Sequence, residues 1–385
     1  MPVKLERLKQ RLGEMADIGK VRQDGTSSLS LMNEEIEARV LFMKWVGEVG
    51  GKVRIDDSGN IHARIEGSNP DKAPIVLGSH LERKTGTFCD ALSMLAGLEV
   101  LESLKEEVEL SQPFEVVLFM NETETPYPAM VPRETVPGIF SKGLDEPVRI
   151  DFHRKKAVEE VEAFISLHIG PKPVPGEAAP FDIVTSVQGT SWHSVEFISL
   201  PGCKGMVPVS SRKDPLVTAV KAVKRIKQWI SGLEDETIVT FGKIHKVPGA
   251  TDRSPCSITF SLDVKHPVEA VLRQRMVHVE EIIRNVAEED AVESVWEDVS
   301  FLPPVAFSET LISLVKESYN DRGIDYRESV GSSIHDTYIW NQMDKTVVVS
   351  ASILSGEYKK KEDWCDIEKT VVVIEDTVKK IMRCL

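Results

Sequence analysis

The sequence predicts an α/β fold: a mixed, largely parallel sheet with helices, interrupted by a smaller inserted α+β domain. Three observations predict it. Helical and strand patterns alternate through the first 183 residues, the order changes from about residue 184, and the alternation resumes after Pro303-Pro304. At roughly 100–200 residues per domain, 385 residues also fit two domains better than one.

The elements follow in chain order. Asn33 to Val49 places Ile36, Val40, Met43 and Val46 at helical spacing, with Asn33 as the cap before Glu34 and Glu35. Lys52–Ile55, Asn60–Ile65 and Ile75–Leu77 read as strands, and Asp90–Leu104 as a buried helix. Val116–Met120 is a continuous apolar run, expected of a strand covered on both faces, and Ile165–Ile169 reads as another strand. Trp192–Leu200 is then a strand, and Asp214–Ile230 a helix with Val217, Val220, Val223 and Ile226 on one stripe. Strands Thr237–Ile244 and Ser257–Val264, helix Val268–Val286 and strand Val292–Trp296 complete a βαββαβ order, which is the ferredoxin-like arrangement. Helix Ser308–Tyr319, strand Thr346–Ser350 and helix Ile367–Met382 return to α/β character. The domains are therefore 1–183 with 300–385, and an inserted 184–299.

Composition narrows the function. Hydrophobic content of 41% and charged content of 28% exclude wholesale disorder. Lys+Arg 47 against Asp+Glu 61 gives a net charge of −14, which repels phosphate backbones and argues against nucleic acid as partner. No stretch reaches the ~18 apolar residues of a membrane helix, and the charged start (Lys4, Glu6, Arg7, Lys9) has no secretory apolar block. Cysteines 89, 203, 256, 365 and 384 are odd in number and form no CxxC pair, which argues for a reducing cytoplasm and against a disulfide framework.

The candidate chemistry sits just past the strands. His80 ends the run from Ile75, Cys89-Asp90 opens the next helix, Glu122 follows the strand ending near Met120, and His168 lies near the end of a fourth strand. Imidazole, thiolate and carboxylate bind transition metals and move protons, and ligands of open α/β sheets gather at carboxyl strand ends. Each residue also has a plainer reading. A strand-end histidine is more often structural, a lone cysteine a small buried hydrophobe, Asp90 a first-turn acid and Glu122 a solvated charge. His335-Asp336, in a small-residue loop, is a pocket candidate or a capped surface turn. Ser79 lacks a nucleophile elbow, so a serine hydrolase has little support.

At these residues the chain resembles the dinuclear-zinc amidohydrolases of the peptidase M20 type. The nearest branch holds N-carbamoyl-L-amino-acid hydrolase, β-ureidopropionase and allantoate amidohydrolase. Supporting stretches are GSHLE (78–82), ALSMLAGLEVLESLK (91–105), LHIG (167–170), FSLDVKHP (260–267) and GSSIHD (331–336). The resemblance implies a metal-binding catalytic domain interrupted by a ferredoxin-like lid that forms a homodimer.

It also implies roles. His80 and His168 match two metal histidines, and the bridging aspartate falls on Cys89, or on Asp90 after a one-residue shift. Glu122 matches the general base, whereas Thr123 stands for a metal-binding glutamate and no histidine lies near Tyr358. One site of His80, Cys89 and His168, holding a single Zn²⁺, is implied to survive; the second is lost, and no organic cofactor is expected. The lid histidine becomes Cys203, and the asparagine and arginine that hold the substrate carboxylate become Asp252 and Lys265; His335 matches a substrate-pocket residue. Three readings follow: a single-metal hydrolase of a linear C–N amide-type bond, a metal-free enzyme built on Cys89, or an inactive dimeric binding protein. Trp192, Phe197 and their strand are expected to suit a pairing edge.

Overall fold

The computed structural model describes residues 3–18, 28–56, 60–80, 91–107, 109–119, 161–171, 181–199, 213–249, 254–331, 345–353 and 361–384. The chain divides into two compact units, Met1–Thr185 with Ala306–Leu385, and Ser186–Val305.

The first unit is built on a mixed sheet whose centre is parallel. Strands β4 (Phe114–Phe119), β3 (Ile75–His80), β5 (Ala163–Pro171) and β13 (Thr346–Ile353) lie side by side in that order and run parallel. Antiparallel strands flank them: β1 (Lys52–Ile55) and β2 (Ile61–Ile65) beyond β4, and β6 (Phe181–Val187) beyond β13. The central strands are rich in Val, Ile and Phe and buried through most of their length, as strands covered on both faces must be. Helix α3 (Ala91–Glu107) lies on the face of Leu77 and Val116. Gly97 permits the approach, since a methyl there would stand 3.1 Å from both side chains. The opposite face carries a small cluster of Val76, Val117, Phe119, Val161 and Phe164. Helix α1 (Leu5–Ile18) is tied to α3 by Arg7, whose Nε donates to fully buried Glu99 at 2.7 Å.

The second unit is a four-stranded antiparallel sheet with two helices. Its chain order is β7 (Gly189–Ile198), α4 (Pro215–Ile230), β8 (Ile238–Val247), β9 (Ser257–His266), α5 (Glu269–Asp290), β10 (Glu293–Leu302), and its spatial order β10-β7-β9-β8. Val195, Phe197, Phe260, Leu262 and Val264 pack on Ile226, Leu272, Val279 and Ile283 of the helices. Asp214 caps α4 by accepting from Leu216 N–H at 3.1 Å, with Pro215 in the first turn.

Four expectations change. Asn33 is not a cap, because helix α2 spans Ser28–Val49 and Asn33 lies inside it; a polar residue before two glutamates is as compatible with a helix interior. Only part of the stripe read on α4 faces the core. Val217 and Val220 are exposed while Ala219, Ala222 and Ile226 are buried, small residues letting the helix lie close to the sheet. Strand β7 is no pairing edge: it lies between β10 and β9, and Phe197 is fully buried. Finally, Cys256 is disulfide-bonded, against the expectation of reduced thiols, whereas Cys365 and Cys384 are free and exposed. Sequence spacing does not reveal which sulfurs a fold brings within bonding distance. Among the described residues no helix is long and apolar enough to cross a membrane.

Candidate functional site at the strand ends

Parallel pairing decides the geometry. β3 and β5 run in register from Ile75 opposite Ala163 to Gly78 opposite Ser166. His80 and His168 each stand two residues beyond that last pair, at the carboxyl ends of neighbouring strands. Strand side chains alternate, so positions 78, 80, 166 and 168 belong to one face of the sheet. On β4 the register partner of His80 is Phe119, and on β13 that of His168 is Ser350.

The floor of this site is aromatic. The rings of Phe119 and Phe164 sit 6.1 Å apart at 60°, and both crowd the Cα of Gly78. A methyl at position 78 would meet Phe164 at 2.4 Å and Phe119 at 2.7 Å, so only glycine admits both rings here. His168 is half-buried, with Ser166 Oγ 3.1 Å from its Nε2. Immediately after it, Ile169 N–H donates to Ser93 Oγ of α3 at 2.7 Å.

The other strand-end residues bear on this point by position alone. The side chain of His80, and all of Cys89, Asp90, Glu122, Thr123, Cys203, Asp252, His335, Asp336 and Tyr358, lie outside the described residues. The described chain stops three residues before Glu122 and resumes just after Asp90, where α3 begins. Among the described residues no three His, Cys, Asp or Glu side chains form a metal-holding group.

No protein-family model matches the chain. Individual relatives do. N-carbamoyl-L-amino-acid amidohydrolase of Pseudomonas sp. (strain NS671) is 27% identical over 98% of each chain. Allantoate amidohydrolase of Bacillus subtilis (strain 168) is 25% identical over 84% of each. A crystal structure of a hydantoinase/carbamoylase family amidase from Burkholderia vietnamiensis superposes with a TM-score of 0.80 at 25% identity. It covers 98% of this chain and 97% of its own. The chain is therefore similar to amidohydrolases of this kind along nearly its whole length. The match to the Pseudomonas relative covers nearly all of both chains, so the similarity extends through the residues of both compact units.

Lys265, on β9 of the second unit, pairs in register with Thr190 and Ile238. Its Nζ stands 3.4 Å from Asp263 Oδ2, and the other oxygen of Asp263 accepts from Thr190 Oγ1 at 2.5 Å. Sequence reasoning marked Lys265 but missed Asp263 and Thr190. Their i, i+2 and cross-strand relations are readable only once the pairing is known.

Two further histidines sit in polar networks. His193 stands 2.7 Å from Ser191 Oγ and 2.9 Å from Asp298 Oδ1, the residue types of a hydrolytic triad. Accessibility runs the wrong way for that chemistry: Ser191 is 3% exposed, and the carboxylate is the member that faces solvent. Burial, opposed by Asp298, holds the His193 pKa below the ordinary imidazole value. His62 on β2 has Glu115 at Nδ1 and Asp56 at Nε2, the latter at 3.2 Å. A carboxylate only accepts, so carboxylates at both nitrogens favour the doubly protonated ring. Burial alone would depress its pKa; the hydrogen bonds to Asp56 and Glu115 outweigh burial and raise it.

Proposed function

We propose that the chain hydrolyses a linear C–N amide-type bond in a small N-substituted, amino-acid-like substrate. The observation that carries the reading is the placement of His80 and His168 at the ends of adjacent parallel strands, in a family whose curated relatives are named for N-carbamoyl amino acids and allantoate.

His80, Cys89 and His168 are assigned as the ligands of one zinc ion. Two imidazoles and a thiolate with an open fourth position are sound zinc chemistry, so this donor set fits the group. Zinc held there supplies Lewis-acid activation of water and of the scissile carbonyl. Glu122 is assigned as general base, taking a proton from the attacking water and returning it to the leaving nitrogen. The second family metal is assigned as lost, with Thr123 in place of a metal-binding glutamate and no histidine near Tyr358.

Cys203, Asp252, Lys265 and His335 are assigned to the substrate. Lysine meets a carboxylate as a point charge rather than a fork, and Asp252 favours a cationic group nearby. We assign residues 184–299 as an inserted lid that forms a homodimer, in a cytoplasmic protein. Support for pairing comes from a groove of about 700 Å³ between α4 and the edge strand β8, lined by Leu216, Val220, Val223, Phe241, Ile244 and Phe260.

Elemental analysis joined to a turnover screen against N-carbamoyl, N-acyl and ureido compounds tests the reading. The expected result is one zinc per chain, with Glu122→Gln keeping the metal and slowing turnover about 10²–10⁴-fold. Protein that carries no metal, and turns over as fast with Glu122→Gln, refutes it. Turnover abolished by alkylating Cys89 in metal-free protein would establish the thiol enzyme instead. No turnover with any of these compounds would leave a binding protein.

A further inference from the structure

We infer that Ser93 is a positioning residue of the strand-end site, fixing the segment that carries His168 against the helix that starts just after Cys89 and Asp90. The inference rests on the site proposed above.

The geometry begins with an imbalance in strand length. β5 runs on to Pro171 and stays paired with β13 as far as Ile353 opposite Pro171. On its other side the register with β3 ends at Gly78 opposite Ser166, and β3 itself ends at His80. The end of β5 therefore outruns one of its two neighbours where His168 stands. A buried backbone N–H without a strand acceptor must find another partner. Ile169 is buried, and its N–H donates to Ser93 Oγ at 2.7 Å, across 76 residues of sequence.

Ser93 occupies the first turn of α3 and is itself buried. One hydroxyl thus replaces the missing strand carbonyl and joins two segments at a fixed distance. One segment is the residue after His168; the other is the helix start, three and four residues beyond Asp90 and Cys89. The hydroxyl touches no reacting atom. Its effect passes through the strand end, as an outer partner holds a ligand in aim. The surrounding turn, Ala91-Leu92-Ser93-Met94, is otherwise apolar and buried, so the serine is the one polar side chain that turn offers to the sheet.

The test compares Ser93→Ala, which removes only the hydroxyl, with Ser93→Thr, which keeps it. Hydrogen exchange at the Ile169 amide of metal-free protein reads the tie directly. Zinc affinity by chelator competition, and the split of kcat against KM for an N-carbamoyl amino acid, read its purpose. Ser93→Ala should speed Ile169 exchange at least about tenfold and weaken zinc binding and kcat about tenfold, with KM and melting temperature little changed. Ser93→Thr should restore all three. Unchanged Ile169 exchange overturns the tie. Faster exchange with wild-type zinc affinity and kcat overturns the positioning role and leaves the strand-end site standing. Wild-type protein that neither binds zinc nor turns over sinks both readings together, a pattern distinct from failure of Ser93 alone.

Discussion

Gly78 shows how much one missing methyl decides. Its Cα lies under two phenyl rings, and the nearest ring carbon would stand 2.4 Å from an added Cβ. Both rings belong to buried residues of neighbouring strands, so neither swings away freely. Gly78→Ala should therefore cost about 1–3 kcal/mol, the usual range for overpacking a tight core. A lowered urea midpoint at unchanged slope is the expected measurement; a midpoint equal to wild type would show that the rings yield. The sequence displays Gly78 as a glycine two residues before a strand-end histidine and no more. His80, His168 and Lys265 were legible because their residue types announce chemistry. Ser93, Asp263 and Thr190 were not, since common polar residues take on meaning only from a partner far along the chain.

Element by element, periodicity located most strands and helices. Strand β1 falls on Lys52–Ile55 as read, and β9 and α4 differ by a residue or two at one end. Helix α1 and strands β6 and β12 (Arg327–Gly331) went unread, because short or charged segments with mixed patterns look like loops. Pairing between elements brings the His62 cluster together. Arg54 of β1 (Nη2 2.9 Å from Nδ1), Asp56 after β1 and Glu115 of β4 surround the imidazole among the described residues, and Arg64 of β2 stands 3.7 Å from Glu115. The folded pKa of His62 is raised above the ordinary value of about 6.5. Its contribution is then complete below pH about 6.5 and is lost as pH rises through the folded value. Asp56, held low despite its burial by bonds from His62 and Asn60, contributes above its ordinary range and loses that contribution in acid. Unfolding measured across pH 6–9 should show wild-type stability falling with pH from this source. His62→Gln should flatten that slope, and an unaltered slope would place the titration elsewhere.

For the whole molecule, the open question is what covers the second unit. Val220 and Ile244 are 60% and 66% exposed on α4 and β8, in a groove whose lining is mostly apolar but includes Lys224, Lys227, Gln228 and Ser231. An unpaired edge strand next to apolar surface invites another chain. If this face joins two copies, Val220→Glu combined with Ile244→Glu should halve the sedimenting mass and leave the far-UV spectrum intact. A wild-type protein that already sediments as a monomer would remove the homodimer from the proposal. Net charge of −14 favours keeping the two copies apart everywhere except on a face such as this, where the charged residues lining the groove are the lysines Lys224 and Lys227.

The sequence by itself determined the α/β class, the alternation of elements, the family resemblance and the residues whose chemistry deserves testing. Those properties are carried by local periodicity and residue type, which need no knowledge of neighbours. Tertiary structure alone decided that His80 and His168 stand near the carboxyl ends of adjacent strands, that Gly78 admits two rings, and that β7 is an interior strand. It also decided that Val217 and Val220 of α4 face away from the core and that Ser93 meets Ile169. Each depends on register and packing between segments tens of residues apart, and a linear pattern does not encode which strand lies beside which.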